Sequence, residues 1–229
     1  MSNFKVKFDN LIKEIIAPAF KAIGFKKKNN NFYKSTNDLI QIFNVRKSQW
    51  NSKEDISFTF NIGFFNPDIF KKTRDRPIPD VPKEYDCFIS LRPGFITNNK
   101  DKWYELNEKV NYNKLIAEIN SDLQNSTISL FNNYQTLNSI KDLVREYPDL
   151  QKKMGITARF VFMMKTNSEK EAVNFLNSEY KNALIPKSSV SVINYPDGKR
   201  VETQSEPKIN QAYIDSLIKI SKKYNIELK

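Results

Sequence analysis

The 229-residue sequence contains no histidine and a single cysteine, Cys87. Without histidine, Ser-His-Asp and Cys-His nucleophile chemistry is excluded, and with one cysteine so are an internal disulfide and nearly all zinc sites. Only five glycines occur, none in a G-x-G context, so no glycine-rich phosphate loop is indicated. We therefore predict no catalytic residue, no metal site and no cofactor from these patterns, although carboxylate chemistry stays open. Cys87 itself stands in an apolar context, which predicts a small buried side chain rather than a reactive thiol.

Long apolar runs are also missing. No run approaches the roughly eighteen apolar residues of a membrane span, and the first eight residues lack the apolar stretch of a signal peptide. We therefore expect a cytoplasmic protein with no membrane partner. Hydrophobic residues make up 39% of the chain, enough for a large core in a chain of this length.

The charge balance is strongly positive, with 37 lysines and arginines against 26 acids and a net charge of +11. Such an excess attracts polyanions and suggests nucleic acid or an acidic protein as a partner. A second explanation is open, because abundant Lys, Asn, Ile, Phe and Tyr are typical of an AT-rich coding sequence. Lysines scattered for that reason form a solvated surface and not a binding site.

Hydrophobic periodicity in the first half predicts one helix and about four strands. Apolar residues at helical spacing over 8–23, followed by Gly24, predict an amphipathic helix that is kinked near Pro18. Alternation is clearest over 56–64, where apolar residues alternate with small polar ones. Four prolines make 66–82 an expected irregular loop. The predicted strands are 32–34, 39–46, 56–64 and 85–92.

The second half is predicted to be mostly helical. Apolar stripes indicate helices, Ser168 with Glu171 forms a capping box, and Pro196-Asp197-Gly198 predicts a turn. We predict an α+β fold in which an N-terminal helix packs on an antiparallel sheet of about four strands, followed by a mostly helical C-terminal part. Residues 1–112 form the helix-and-sheet region, and residues 113–229 form a helical region packed on the same core, as one domain with an extension. The predicted helices centre on 115–123, 140–147, 156–165, 172–180 and 209–220.

Several segments resemble a known family in their order and spacing. They are the run 24–33 (GFKKKNNNFY) after a helix, the strand-like runs 39–48 and 58–63, the segment 87–94 (CFISLRPG), and Trp103. Together they resemble the bacterial family called domain of unknown function 4304, over roughly residues 4–150. The resemblance implies an α+β fold with a helix on an antiparallel sheet, and it implies no activity.

Candidate binding residues are cations and a tryptophan near strand ends. Arg92 follows an apolar strand, where a guanidinium could hold a carboxylate or phosphate, or could pair with Asp86 or another internal acid. Trp50 near Arg46 could stack on a base or anchor a protein, or could cover a sheet edge. The lysine run could equally be a solvated turn. The candidates are Lys26, Lys27, Lys28, Arg46, Trp50 and Arg92.

Three functions follow as hypotheses. The first is a non-catalytic interaction module, of accessory or immunity type, with a protein partner. The second is a basic protein associated with nucleic acid, whose binding weakens steeply with salt. The third is a carboxylate-dependent hydrolase, which requires two acids facing one cleft. Its candidate acids are Glu54, Asp80, Glu84 and Asp86; the oligomeric state stays open.

Overall fold

The computed structural model describes residues 3–97, 100–196 and 198–229, and Asp197 of the expected turn lies outside them. The chain divides into two compact units, Met1–Arg159 and Phe160–Lys229. Among the described residues, no helix combines the length and apolar composition that crossing a membrane requires.

The first unit begins with the predicted helical segment, which contains a π-helical stretch. Helix α1, Asn3–Asn10, continues through π-helical Leu11–Ile16 into α2, Ala17–Ala22. The widened stretch immediately precedes the turn that contains Pro18, whose nitrogen has no hydrogen to donate, so the irregularity falls where the sequence predicted a kink. The helix ends at Gly24, whose φ of 86° is left-handed.

The sheet of the first unit has six strands, all paired antiparallel. The order is β1-β2-β3-β4-β5, and β6 also pairs with β4. The α+β fold with an N-terminal helix is confirmed, but the sheet is larger than the four strands expected, because three-residue strands are too short to show an alternating pattern. The strands are β1 Lys26–Lys28, β2 Asn31–Ser35, β3 Ile40–Lys47, β4 Ile56–Phe65, β5 Ile89–Leu91 and β6 Tyr104–Leu106.

The N-terminal helical segment packs on one face of this sheet through aromatic side chains. The rings of Phe8 and Phe58 lie 5.2 Å apart edge to face, and those of Phe20 and Phe43 stack at 4.2 Å. All four side chains are fully buried. Large buried aromatic rings contribute much of the apolar area that stabilises a core of this kind.

The proline-rich connection after β4 contains a helix, which the sequence analysis did not predict. Helix α3, Pro67–Thr73, begins at Asn66, whose side chain accepts a hydrogen bond from the Ile69 amide at 2.9 Å. Pro67 occupies the first turn, where a missing N–H costs nothing, so this proline favours the helix. The buried Phe70 of this helix packs with Ile42 and Phe65 on the second face of the sheet.

Helices follow the sheet, as predicted. The longest of these helical segments covers residues 112–133 and includes a π-helical stretch at Leu123–Ile128. A 3-10 turn at Glu84–Asp86 shortens the strand that was expected over 85–92. The helices are α4 Pro93–Thr97, α5 Tyr112–Asp122, α6 Ser129–Asn133, α7 Leu137–Glu146, α8 Asp149–Lys153 and α9 Ile156–Thr166, the last of which contains the boundary between the units.

The second unit adds two helices and a hairpin. Helix α10, Glu169–Ala183, begins at the predicted capping box of Ser168 and Glu171, and α11 spans Gln211–Tyr224. Between them, β7, Val190–Asn194, pairs antiparallel with β8, Arg200–Gln204. This hairpin was not predicted within the mostly helical part. Val190 and Val192 alternate with Ser191 in β7, but β8 has Val201 as its one apolar residue, and both strands are largely exposed, so no buried apolar face indicated them.

Candidate binding surface on the sheet

The strand register gives the sheet two chemically different faces, since directly opposed residues in an antiparallel pair project to the same side. Phe43 opposite Ile62 belongs to the face under the N-terminal helix. The other face carries the pairs Ile42 with Gly63 and Asn44 with Asn61. It therefore changes along the strands from an apolar end, covered by α3, to a polar end.

We call this polar end the polar half-face. Its central row crosses the sheet, because Lys28 pairs with Asn31, Asn31 with Asn44, and Asn44 with Asn61. The next row contains Arg46 opposite Thr59. Of these residues, Lys28 and Arg46 are exposed, Asn31 and Asn44 are half-buried, and Thr59 and Asn61 are buried. The polar half-face comprises Lys28, Asn31, Asn44, Arg46, Thr59 and Asn61.

The three asparagines are joined by hydrogen bonds between their side chains. Asn44 donates from Nδ2 to Asn31 Oδ1 at 2.8 Å, and Asn61 donates to Asn44 Oδ1 at 3.3 Å. Arg92 extends the chain by donating from Nε to Asn61 Oδ1 at 3.3 Å. Linked side chains of this kind hold each other in one rotamer, so the row presents fixed donors and acceptors.

Arg92 closes the row as part of a small cluster. Its guanidinium forms an ion pair with Asp101 and lies 5.1 Å from the centre of the Trp103 ring. Trp103 donates from Nε1 to Asp101 Oδ2 at 3.0 Å. Of the two alternatives open for Arg92, the structure therefore has it paired with an acid of the chain, and that acid is Asp101.

A second charged cluster lies behind Arg92. Lys102 Nζ contacts Asp122 at 2.5 Å and Glu118 at 2.8 Å, and the Tyr104 hydroxyl donates to Asp122 at 2.5 Å. Burial acts to lower the pKa of Lys102, but its hydrogen bonds to Asp122 and Glu118 outweigh burial and raise that pKa. Burial, followed by the bond to Asp122, raises the pKa of the Tyr104 hydroxyl far above its ordinary range.

The space enclosed between Arg92 and the second charged cluster is small. A cavity of about 10 Å³ lies between them, which is room for about one water molecule. The second charged cluster therefore ties α5 to the sheet and has no room for a substrate. The cavity is lined by Thr59, Phe60, Arg92, Pro93, Gly94, Lys102, Tyr104, Asp122 and Ser126.

A larger groove of about 520 Å³ opens near α4 and α8. Phe95 and Leu150 contribute apolar surface, and Lys153 Nζ lies 4.5 Å from the centre of the Phe95 ring. Both of its acids already have partners, since Asp149 pairs with Lys152 at 2.7 Å and Glu146 accepts a hydrogen bond from the Tyr134 hydroxyl at 3.1 Å. The groove is mainly apolar, and its engaged acids do not favour hydrolysis.

The structure brings some of the predicted binding residues together and separates others. The lysine run is an edge strand and not a turn, so Lys28 lies on the polar half-face and Lys27 on the opposite face. Lys26 shares the side of Lys28, one row away. Exposed lysines on a short edge strand also hinder edge-to-edge aggregation, which is a structural role for this run.

Trp50 lies in the connection between β3 and β4, beyond the end of the polar half-face. Its side chain is 85% exposed, so it does not cover a sheet edge. The connection is ordered by Asn51, which accepts a hydrogen bond from the Ser57 amide at 2.9 Å and donates to the Ser57 carbonyl at 3.0 Å. A solvent-exposed indole on an ordered loop is available for contact with a partner.

The acids considered for hydrolysis lie in two connections of the first unit. Glu54 lies between β3 and β4, and the other three, Asp80, Glu84 and Asp86, lie between α3 and β5. Asp86 is buried, forms an ion pair with Arg76 and accepts the Lys83 amide at 2.8 Å. Glu54 accepts a hydrogen bond from Ser52 in the turn after Trp50. In the ranges that the structure describes, no three acids or thiols are grouped so as to hold a metal ion.

Sequence reasoning missed the partners of the polar half-face. Asn61 was visible as one of the small polar residues that alternate with apolar ones in β4. Asn31 and Asn44 gave no signal, because their alignment with Asn61 depends on strand register. Asp101 and Asp122 gave no signal in the sequence either, because each is brought next to its partner only by the tertiary structure.

This arrangement defines an α+β protein in which one end of a packed antiparallel sheet carries the polar half-face. The family model named Domain of unknown function (DUF4304) matches residues 16–133, just over half of the chain, and the protein belongs to that family. No curated protein matches the chain, and no solved structure does. The matched range contains the whole polar half-face, Arg92, Asp101 and Asp122, whereas the hairpin of the second unit lies outside it.

Proposed function

We propose that the protein is a non-catalytic interaction module that binds an acidic segment of another protein on the polar half-face. One observation carries the proposal. The ordered asparagine row is flanked by Lys28 and Arg46, which are exposed and form no ion pair with any residue in the described ranges. Such a surface can donate hydrogen bonds and neutralise carboxylates without first breaking internal salt bridges.

The parts of this surface have complementary roles in binding. Exposed cations accelerate encounter with an acidic partner and select against basic ones. The half-buried amides of Asn31 and Asn44 can then bond to a partner backbone, since each amide offers both a donor and an acceptor, while the buried Asn61 holds Asn44 in place. Trp50, exposed at the adjacent loop, supplies the large apolar contact that commonly dominates binding energy.

Nucleic acid is the second candidate, supported by the net charge of +11 and by Lys26, Lys28 and Arg46 projecting from one side of the sheet. Sequence-tolerant binding of single strands usually requires aromatic side chains on which successive bases stack. The polar half-face carries amides, a threonine and cations instead. Trp103 is already held by Arg92 and Asp101, so the exposed Trp50 offers a single stacking position and not a row of them. These features favour a protein segment.

The proposal is tested by fluorescence anisotropy with labelled twenty-residue probes: a glutamate-rich peptide, its glutamine counterpart and a single-stranded RNA. We expect binding of the glutamate peptide, weakened about tenfold or more by Lys28→Glu and by Arg46→Glu. The matched control is Lys27→Glu, which makes the same charge change on the same strand but on the other face. We expect it to alter the dissociation constant less than about threefold.

Three results would count against the protein-binding proposal. Equal weakening by Lys27→Glu and Lys28→Glu would mean that net charge alone drives association. Tighter binding of RNA than of the glutamate peptide at equal salt, with a steep salt dependence, would favour the second candidate. Absence of binding to any probe at low salt would remove both.

Within this proposal the module masks or recruits another macromolecule, as an accessory or immunity-type protein does. We place it in the cytoplasm, since a chain with one thiol and no disulfide suits a reducing compartment. The half-buried Cys87 agrees with a structural thiol: burial, together with the charges of Asp86 and Glu84, raises its pKa and disfavours the reactive thiolate.

A further inference from the structure

Exposed apolar side chains are concentrated around the hairpin of the second unit. Thirteen large hydrophobic side chains are exposed among the described residues, and seven of them lie between residues 184 and 209. Val190 is 59% exposed and Ile193 is 51% exposed. A concentration of this kind commonly marks a surface that another chain covers. The seven are Leu184, Ile185, Val190, Val192, Ile193, Tyr195 and Ile209.

The hairpin is also an incomplete sheet. It has two strands and therefore two open edges, and an isolated two-stranded ribbon is marginally stable in water. The hydrogen bonds from Tyr195 N to Lys199 O and from Ser205 N to Ser189 O show that Lys199 and Ser205 direct their backbone groups toward β7. Backbone groups alternate in direction along an antiparallel strand. The outer edge of β8 therefore carries the N–H and C=O groups of Arg200, Glu202 and Gln204.

We infer that this edge is a dimerisation surface, on which β8 pairs antiparallel with β8 of a second copy around a twofold axis at Val201. Self-complementary charge supports a second copy as the occupant. Within one chain Arg200 already contacts Glu202 at 2.5 Å. In this register Arg200 of each chain also lies directly opposite Glu202 of the other, so the two intrachain pairs join into one four-charge cluster of alternating sign. The outward backbone groups of these residues then form the connecting hydrogen bonds.

The same register also extends the apolar surface. Ile193 already pairs with Val201 inside the hairpin. When Val201 lies opposite its counterpart, an apolar row of Ile193, Val201, Val201 and Ile193 crosses all four strands. A shift by one residue in either direction breaks this row and loses the charge pairs, so the pattern specifies one register. The dimer lies outside the polar half-face and does not depend on the proposed function.

The first experiment is sedimentation equilibrium on the full chain and three charge variants. We expect a concentration-dependent dimer. Arg200→Glu and Glu202→Arg should each raise its dissociation constant about tenfold or more, because like charges then face each other twice. The double variant, which exchanges the two residues, should restore the dimer. Circular dichroism checks that each variant keeps its helices.

A second experiment tests the register by cysteine cross-linking in a Cys87→Ala background. Val201→Cys places two thiols opposite each other and should give disulfide-linked dimers under mild oxidation. Thr203→Cys is the matched control, since its partner in this register is Lys199, and it should stay monomeric. A monomer at all concentrations, equal dimerisation of all charge variants, or equal cross-linking at both positions would overturn the inference. Association only with a different chain would overturn it as well.

Discussion

The thiol of Cys87 lies directly over Gly63 in β4. A Cβ atom on Gly63 would meet Cys87 Sγ at 2.4 Å and Cys87 Cβ at 3.2 Å, and the former is too close for any real contact. Gly63 is therefore required by the close approach of the segment after the 3-10 turn and not by an unusual backbone angle. Two distant parts of the sequence, a glycine in a strand and the single cysteine, form one packing unit.

Gly63→Ala should destabilise the protein by about 1–3 kcal/mol, the usual cost of an extra methyl group in a packed site. Combining it with Cys87→Ala should recover much of this loss, because the Sγ atom that clashes is removed. Urea denaturation measures the free energy of unfolding of both single variants and the double variant. Simple additivity of the single effects would contradict the proposed packing unit.

Gln41 joins the sheet to the end of α6. It is fully buried, and its Nε2 donates to the Phe131 carbonyl at 2.7 Å and to the Tyr134 carbonyl at 2.9 Å. Gln41→Ala should lower the free energy of unfolding by about 1–3 kcal/mol, because two carbonyls lose their donor, while removal of the buried and unpartnered Gln41 Oε1 offsets part of this cost. The control Gln49→Ala changes the same residue type at an exposed position and should cost less than about 0.5 kcal/mol. Thermal and urea unfolding compare the two.

Stability should fall at alkaline pH. The pKa of Tyr104 is raised in the folded protein, first by burial and then by its bond to Asp122. The neutral hydroxyl is thus favoured by folding. Its contribution is complete below the unfolded tyrosine pKa of about 10 and is lost as the pH rises above it, by up to about 1.4 kcal/mol per pH unit. The raised pKa of Lys102 acts in the same direction.

Tyr104→Phe isolates this effect. At pH 8 the variant should be less stable by about 1.5 kcal/mol, since a hydrogen bond to a charged group is lost. Between pH 9 and about 11 its stability should decline less than that of the wild type, so the two curves converge. Urea unfolding across this pH range provides the measurement, and parallel curves would disagree with the role given to Tyr104.

Arg92 should control the exposure of Trp103. In a Trp50→Phe background, Trp103 is the only tryptophan, and its indole is held between Arg92 and Asp101. Arg92→Ala should increase iodide quenching of its fluorescence about twofold, with a stability change below about 1 kcal/mol because the ion pair is partly solvated. Arg46→Ala, on the same face but without contact to Trp103, serves as the control. Unchanged quenching in Arg92→Ala would argue against the cluster.

Strand β4 and the segments that follow it show which parts of the secondary structure the sequence predicted and which it did not. The alternation from Ile56 to Phe64 predicted a strand with one apolar face, and the structure confirms both. The prolines after it were interpreted only as marks of an irregular loop, although Pro67 stands at the first turn of a helix. The expected extension was mostly helical, yet it contains a hairpin. Val190 and Val192 alternate with Ser191 in its first strand, but Val201 is the one apolar residue of its second strand, so that strand shows no alternating pattern.

The candidate site was predicted only in part. Lys28, Arg46 and Arg92 were selected for their charge and for their positions near strand ends. Their common face could not be predicted, since it depends on which residue of each strand lies opposite which. A shift by one residue moves every side chain to the other side of the sheet. Lys27 shows the consequence: it is a neighbour of Lys28 in sequence and lies on the opposite face.

The amino-acid sequence by itself determined the class of this protein: an α+β fold with an amphipathic N-terminal helix, an antiparallel sheet and a net charge of +11. These properties follow from local periodicity and composition, which neighbouring residues encode. Tertiary structure alone decided the row from Lys28 to Arg92, the pairing of Lys102 with Asp122, and the contact of Cys87 with Gly63. Each of these joins residues far apart in the chain, and their meeting depends on strand register and on the packing of the whole core.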